Sequence, residues 1–512
     1  MTEIEDFFRK LSEELDIPEV DYDRAEKRYH DIGEWLQRVD SIVTSYGIDI
    51  HPQGSFALGT LIRPFDKESH YDIDLVCQCD LDLGRITQKK LKDDVGYEVF
   101  TYGRARGIKK EPDEGRRNWT LEYADEAQFH MDILPAVPDQ RRLGNKIEES
   151  YNFESAQERS QLKEYSEKAI AITDNEHYAY GVITKDWLSS NPVGYRNWFF
   201  EQMKVAHRML TESRAQALNA NIEDIPKHTV KTPLQRVVQI LKRHRDVMFG
   251  DDDDKPISII ITTLAAKSYD NSTSLINSIR SIVFGMRDHI QVRGGTKWVA
   301  NPVNPLENFA DKWPMHPKRE ENFYLWLDKV EEDFNALLHL GDVQFVAGML
   351  NESYGSDAVK PVLTRMGKSL MPVAAANRAL DVPHRQQMPW LFRNQFDVTI
   401  LASYYDGGFR KTPFKSGAAL SKGLKLEFHA HTDAKKVLKR GKLQYYWQVV
   451  NTGLDAERAH SLRGEIFEGR IEKGRAKRIE ETLYQGKHWI ECFVIHDGVC
   501  VGRSGEFIVA IK

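Results

Sequence analysis

The sequence predicts an α+β protein: a mixed helix-and-strand first domain, a helical second one, and a C-terminal antiparallel β-sandwich. Three observations lead there. Apolar residues recur at helical spacing up to residue 46 and again between 195 and 338. Short apolar strands carrying acidic residues fall between 71 and 134. After Trp390, apolar and polar residues alternate at period two. The chain has 512 residues, room for several domains, with boundaries expected at 1–150, 151–370, a connector over 371–389, and 390–512.

Residues 3–16 carry Ile4, Phe7, Phe8, Leu11 and Leu15 at helical spacing. A longer helix follows, with Tyr29, Ile32, Trp35, Leu36, Val39, Ile42, Val43 and Tyr46 along one face, stopping near Gly47. A strand then leads into Gln53-Gly54-Ser55. Tyr71 to Val76 reads as a buried strand bearing Asp72 and Asp74. Phe129 to Leu134 reads as another, bearing Asp132 and closed by Pro135, with Trp119 to Tyr123 hairpinned to it. Residues 87–118 are charged, including Arg104, Arg106, Lys109, Lys110, Arg116 and Arg117. They would either steer a nucleotide or nucleic acid or form a solvated loop-and-strand surface.

From residue 152 the composition turns helical. Phe153 to Ile172 is polar with weak periodicity, and Ser190-Asn191-Pro192 breaks the chain before a helix over Tyr195 to Leu210. Trp198, Phe199, Val205, Met209 and Leu210 fall near one face, with Met203 at its edge. Thr232-Pro233-Leu234-Gln235 is a helix start: Thr caps, Pro takes the first helical position, and Gln completes a capping box. That helix turns Leu234, Val237, Val238, Leu241 and Met248 inward, accompanied by Lys242, Arg243 and Arg245. Asp251 to Asp254 reads as a solvated loop, and the β-branched run Pro256 to Thr263 would by propensity alone be a strand. Phe323, Trp326, Leu327, Val330, Phe334, Leu337 and Leu338 form one more amphipathic helix, stopped by Gly341.

In the last domain, Val398 to Ala402, Leu424 to Phe428, Leu443 to Val450, Trp489 to Val494 and Glu506 to Ala510 read as strands. Asp406-Gly407-Gly408, Asn451-Thr452-Gly453 and Asp497-Gly498 divide them. Basic residues gather from Arg410 to Lys442, with Tyr445, Tyr446 and Trp447 close behind. Such a cluster either holds phosphates and stacks bases, or its aromatics fill the sandwich while lysines guard exposed edges.

Composition excludes some classes. With 71 basic against 77 acidic residues the net charge is −6, so a nucleic-acid site would have to be a local patch. The four cysteines, Cys77, Cys79, Cys492 and Cys500, lack zinc spacing and read as buried thiols of a reducing compartment. The acidic start lacks a signal-peptide core and no apolar run reaches membrane-spanning length, so no membrane association and a cytoplasmic location are expected.

The chemistry is expected at the strand acids. Asp72 and Asp74, two residues apart, project from the same strand face and repel unless a strong counter-charge lies between them. Hard carboxylate oxygens suit Mg²⁺ or Mn²⁺. With Asp132 from a neighbouring strand they would hold two ions, roughly 3.5–4 Å apart as in two-metal phosphoryl-transfer sites. Gly54 would let the backbone approach phosphates, and Ser55 can donate from its amide and its hydroxyl.

A Gly-Ser turn, then Asp-x-Asp, then a later strand Asp resembles the polymerase-β-like nucleotidyltransferases. The wording resembles more closely the bacterial cGAS/DncV-like enzymes, the CD-NTases of the SMODS group. The stretches that carry it are His51-Pro52-Gln53-Gly54-Ser55-Phe56, Tyr71-Asp72-Ile73-Asp74-Leu75, His130 to Pro135, Ser190 to Tyr195 and Asn301 to Pro305. Together they span residues 1 to about 370; the last domain resembles the adenylyl/guanylyl-cyclase and SMODS C-terminal sensor domain. The resemblance implies a polymerase-β-like core with a helical second lobe, the long early helix being the spine between the lobes. It implies that residues 256–263 start a buried helix, and that Asp72, Asp74 and Asp132 are catalytic and metal-binding. Gln53, Gly54, Ser55, Lys242 and Ser258 would bind nucleotide; for Lys242 a plain surface position is the other reading. It further implies two Mg²⁺ or Mn²⁺ ions, ATP or GTP as substrates, and pyrophosphate release. The product would be a cyclic or short linear oligonucleotide messenger, read by a downstream effector in antiviral (CBASS-type) defence. A nucleotide or phage-derived ligand would bind the last domain. The rivals are nucleotidyl transfer onto tRNA or protein, and a silent nucleotide sensor.

Overall fold

The computed structural model describes residues 3–65, 71–123, 129–218, 230–340, 343–368, 384–386, 388–392, 395–396, 398–405, 411–432, 443–472 and 475–512. The chain divides into two compact units, Met1–Glu331 with Asn351–Gly367, and Glu332–Leu350 with Lys368–Lys512.

The first unit is built on a seven-stranded sheet of β1 (Ile48–Gln53), β2 (Tyr71–Cys79), β3 (Asp113–Glu114), β4 (Trp119–Tyr123), β5 (Phe129–Pro138), β6 (Ile170–Ile172) and β7 (Leu188–Ser190). The order is β1-β2-β5-β4-β3, with β6 joined to the far end of β5 and β7 to β6. Only β2 and β5 run parallel. Strand alternation sorts the sheet into two faces. Ile73, Leu75, Cys77, Met131 and Ile133 enter one core with Ala25, Ile32, Leu36, Leu91, Val95 and Val99. Those last six come from α2 (Glu19–Gln37) and α4 (Gln88–Ala105), numbered after α1 (Glu3–Glu14) and α3 (Gly54–Leu58). Each such aliphatic side chain, fully buried, is worth roughly 1.5–3 kcal/mol. The opposite face carries Asp72, Asp74 and Asp132, then turns apolar at Val76, Leu134 and Ala136.

The helices that follow are α5 (Gln140–Ser150), α6 (Ala156–Ser166), α7 (Pro192–Gln202), α8 (Lys204–Leu218), α9 (Pro233–Phe249), α10 (Ser258–Ser268) and α11 (Leu275–Gly285). Hairpins β8 (Gln291–Arg293)–β9 (Thr296–Trp298) and β10 (Ala300–Asn301)–β11 (Asn304–Asn308) precede α12 (Pro317–Leu340), α13 (Val343–Tyr354) and α14 (Ser356–Arg365). The expected start of α9 is present in full: Thr232 accepts from the Gln235 amide, Gln235 accepts from the Thr232 amide at 2.9 Å, and Pro233 leads the helix. Residues 258–268 are helical despite their β-branched run. In α12, Phe323, Trp326, Leu327, Val330, Phe334 and Leu337 are buried as expected; the stop at Gly341 lies outside the described residues. The amino-terminal α1 packs on α9, α11 and α14.

Several expectations need correction. The long helix α2 stops at Gln37, not near Gly47. Arg38 turns extended and pairs with buried Glu98 at 2.6 Å, Glu98 also takes the Ile42 amide at 2.7 Å, and the Thr44 hydroxyl bonds the Arg38 carbonyl at 2.6 Å. Val39 is therefore 98% exposed, and Gly47 ends only a short 3-10 turn. Residues 88–105 are a helix rather than loop or strand, and the charges around it are matched: Arg106 with Asp31, Lys110 with Glu122, Arg116 with Asp174. Residues 170–172 are a sheet strand. The helix over 195–210 is two helices, parted at Met203, whose sulfur takes the Thr232 hydroxyl at 2.9 Å; Val205 and Met209 face outward. Strand β5 runs through Pro135 to Pro138, and the Pro135 carbonyl still accepts from Thr173.

The second unit contains two facing sheets built from β12 (Val398–Tyr405), β13 (Lys411–Phe414), β14 (Ala419–Leu420), β15 (Lys425–Thr432), β16 (Gln444–Val450), β17 (Ile466–Glu468), β18 (Arg470–Glu472), β19 (Arg475–Glu481), β20 (Gly486–His496), β21 (Val499–Arg503) and β22 (Phe507–Ile511). One sheet has the order β13-β12-β15-β19-β18, the other β14-β22-β20-β16-β17 with β21 beside β20. Asp497 and Gly498, both at positive φ, close the β20–β21 hairpin. Tyr445 and Trp447 lie in the core between the sheets and fill the sandwich, whereas Tyr446 turns outward onto Trp390 at 4.5 Å. The lysines over 433–442 and the turn at Asp406-Gly407-Gly408 lie outside the described residues. Within the stretch expected to be a connector, Arg385 bonds Gln448, Glu491 and Glu506, and Gln386 takes the Ile466 amide at 2.8 Å. All four cysteines are buried free thiols. Among the described residues no helix is long and apolar enough to cross a membrane.

Candidate active site

Strand β1 delivers Gln53 opposite Asp74 of β2. The chain then turns at Gly54 (φ 62°) into the single turn α3, which ends at Gly59 (φ 67°), and the Thr60 amide closes back on the Ser55 carbonyl at 3.0 Å. Both glycines are required by conformation. Gly54 is also required by space: a Cβ there would stand 2.1 Å from Asp74 Oδ2. The Gly54-Ser55 turn therefore rests directly on the second acid of the Asp-x-Asp pair.

The third acid arrives by register. Parallel pairing of β2 with β5 sets Asp74 opposite Asp132 and Asp72 opposite His130. All three carboxylates leave one sheet face, on strands roughly 4.8 Å apart. Asp132 accepts from the Thr120 hydroxyl at 2.5 Å, and Asp72 lies 3.8 Å from His130 Nδ1 with its side chain 76% exposed. Burial, then repulsion from Asp132 and Asp72, pushes Asp74 up to about 6, with Lys242 pulling the other way. With Asp132 on Thr120 and Asp72 near His130, no three acidic, histidine or cysteine side chains among the described residues converge on one ion position. The donor set nonetheless fits a hard divalent cation: three carboxylates on one face, and in Asp74 a charge its surroundings do not balance.

Lys242 enters from α9. Its amine is buried and donates to the Thr60 carbonyl at 3.0 Å, so the surface reading is excluded. Burial and the nearby Arg245 lower it to about 8, opposed by Asp246, Asp72 and Asp74. Ser258 begins α10 and accepts from the guanidinium of Arg245, the cation that lowers Lys242, at 2.8 Å. The structure thus gathers Gln53, Gly54, Ser55, Asp72, Asp74, Asp132 and Lys242, with Ser258 one link away.

Sequence reasoning missed four neighbours of these groups. Thr120 and His130 flank the acids, and their place follows from the strand register. Gln235 and Gln239 donate from α9 to the carbonyls of Leu58 and Leu61 at 2.9 and 2.8 Å. Their spacing with Lys242, one helix face, was the available signal.

Residues 1–168 match the family described as the Second Messenger Oligonucleotide or Dinucleotide Synthetase (SMODS) domain. Residues 380–512 match the Adenylyl/Guanylyl and SMODS C-terminal sensor domain. The chain is 26% identical over 359 residues to the c-di-GMP synthase of Roseivirga ehrenbergii, an alignment covering 70% of this chain and 85% of that protein. It is 24% identical over 377 residues to the cyclic dinucleotide synthase CdnG of Bradyrhizobium diazoefficiens, covering 70% and 83%. In three dimensions it shares the fold of the Bradyrhizobium diazoefficiens CD-NTase CdnG, solved in complex with GTP, at a TM-score of 0.52 and 19% identity, over 71% of this chain and 99% of that one.

Proposed function

We propose that this nucleotidyltransferase, a SMODS domain joined to an AGS-type C-terminal sensor domain, condenses nucleoside triphosphates into a cyclic dinucleotide and accepts GTP as at least one substrate. The observation that carries the proposal is the register that sets Asp72, Asp74 and Asp132 on one face beside the Gly54-Ser55 turn. GTP is favoured because the relatives are a c-di-GMP synthase and a synthase solved with GTP.

In this reading a hydroxyl of one nucleotide attacks the α-phosphorus of another. The new P–O bond forms as the bond to the β-phosphate breaks, pyrophosphate leaves, and the hydroxyl proton passes to solvent. Divalent cations, when bound, supply charge neutralisation of the triphosphate and acidify the attacking hydroxyl. Asp72 and Asp74 would hold both and Asp132 the one nearer the acceptor, while Thr120 fixes the Asp132 carboxylate. Ser55 and the amides of its turn would hold the donor phosphates, with Gln53 beside them. Lys242 would release the Thr60 carbonyl to meet the triphosphate, and the nearby acids keep its amine charged. Ser258 would follow through Arg245. The C-terminal domain would gate synthesis by binding a nucleotide or phage-derived ligand, and an effector would read the product in antiviral defence.

Incubation with labelled nucleotides and Mg²⁺ or Mn²⁺, followed by mass spectrometry, tests this. A phosphatase-resistant cyclic dinucleotide containing guanine is the expected product. Label transferred to tRNA or protein, or tight nucleotide binding with no turnover, would sink it.

A further inference from the structure

The turn that carries Ser55 is held from outside, by one face of α9. Gln235, Gln239 and Lys242 lie four and three residues apart and donate to three carbonyls of a single stretch: Leu58 at 2.9 Å, Leu61 at 2.8 Å and Thr60 at 3.0 Å. The approach is close enough that a Cβ at Gly59 would stand 2.5 Å from Gln235 Nε2. Gln239 is fully buried and divides its amide between the Leu61 carbonyl and Asp16, at 2.8 and 2.9 Å. Asp16 in turn pairs with Lys231 and Arg236. Neither glutamine carries charge to offer a phosphate, and a buried amide spent on a loop carbonyl serves to fix that loop.

We infer that Gln235 and Gln239 are positioning residues of the transferase: by gripping the Leu58 and Leu61 carbonyls they make helix α9 set the shape of the phosphate-binding turn. The inference rests on the nucleotidyltransferase reading for its kinetic consequence. The two uncharged clamps hold the turn even after Lys242 leaves Thr60 for a triphosphate.

Gln235→Glu isolates the clamp from helix stability. The new carboxylate still accepts from the Thr232 amide, so the capping box survives. It cannot donate to the Leu58 carbonyl and repels it instead. Gln239→Met removes the second clamp while keeping its volume. Both variants are expected to melt within a few degrees of the parent. Each is expected to lose about tenfold or more in kcat/KM through a raised KM for nucleotide. Q235E should recover part of that loss as pH falls and its new carboxyl regains a proton. Hydrogen exchange of residues 59–63 should quicken in both variants while α9 keeps its protection; this readout needs no turnover. An inactive parent would refute the transferase reading alone. Unchanged exchange at 59–63, or unchanged KM in an active parent series, would overturn the inference.

Discussion

Two carboxylates on sheet strands, half-buried Asp74 on β2 and buried Glu427 on β15, meet opposite treatment. Glu427 takes the Tyr405 hydroxyl at 3.0 Å and His429 at 2.6 Å, with Lys411 on one oxygen and Lys477 at 3.5 Å from the other. Burial alone would raise it, but bonds from Lys411, His429 and Tyr405 outweigh that and bring it down to about 2. Asp74 faces two further acids and is pushed up to about 6. The sandwich satisfies its acid internally, whereas the seven-stranded sheet leaves its acid short of positive charge. Such a deficit is what a ligand made of cations would fill.

The strongest way to break this comparison is to remove the deficit. Asp72→Ala with Asp74→Ala should cut product formation at least ~10³-fold while the circular-dichroism spectrum stays that of the parent. Full activity in that double variant would end the assignment. Next, Lys242→Met should lower kcat/KM for nucleotide by about 10–100-fold, measured by initial rates. A rate equal to the parent's would leave Lys242 a purely structural clamp on Thr60.

Two stability measurements sharpen the contrast because their signs differ. Asp74 holds its proton more tightly folded than unfolded, so its charge costs stability above about pH 6, and the cost vanishes below its ordinary range near pH 4. In metal-free protein, Asp74→Asn should therefore stabilise at pH 8 by on the order of 2 kcal/mol, but not at pH 4. Millimolar Mg²⁺ should shrink that gain by stabilising the parent. Glu427 is lowered, so its contribution is present in full above its ordinary range and is lost as pH falls toward 2. Glu427→Gln should cost about 1–2 kcal/mol at pH 7, read from the C-terminal unfolding transition, and progressively less under strong acid. If both substitutions shifted melting in the same direction, the contrast would collapse.

What could be read from the sequence follows the reach of each signal. Asp72 and Asp74 are two residues apart, so strand geometry places them on one face, and the capping box at Thr232 is local in the same sense. Asp132 was legible as a lone acid in a second apolar strand, but its register opposite Asp74 was not, since pairing between distant strands has no local signal. The end of α2 was misread because Val39, Ile42 and Val43 continue the apolar period. What stops the helix is Glu98, sixty residues away, buried against Arg38. The break at Met203 and the grip of Gln235 and Gln239 are likewise tertiary facts. A glutamine on a helix looks alike whether it meets water or a loop carbonyl.

Arg385 bears on where this protein can be cut. Its guanidinium reaches Glu491 at 3.1 Å and pairs with Glu506, leaving Arg503 as the other cation on Glu491, at 2.6 Å. A protease nick or a cloning primer that began the sandwich at Trp390, where the strand pattern starts, would discard Arg385 and take from Glu491 and Glu506 a cation that both of them bond. A fragment beginning ahead of His384 keeps that cation, and it is the one expected to express and fold.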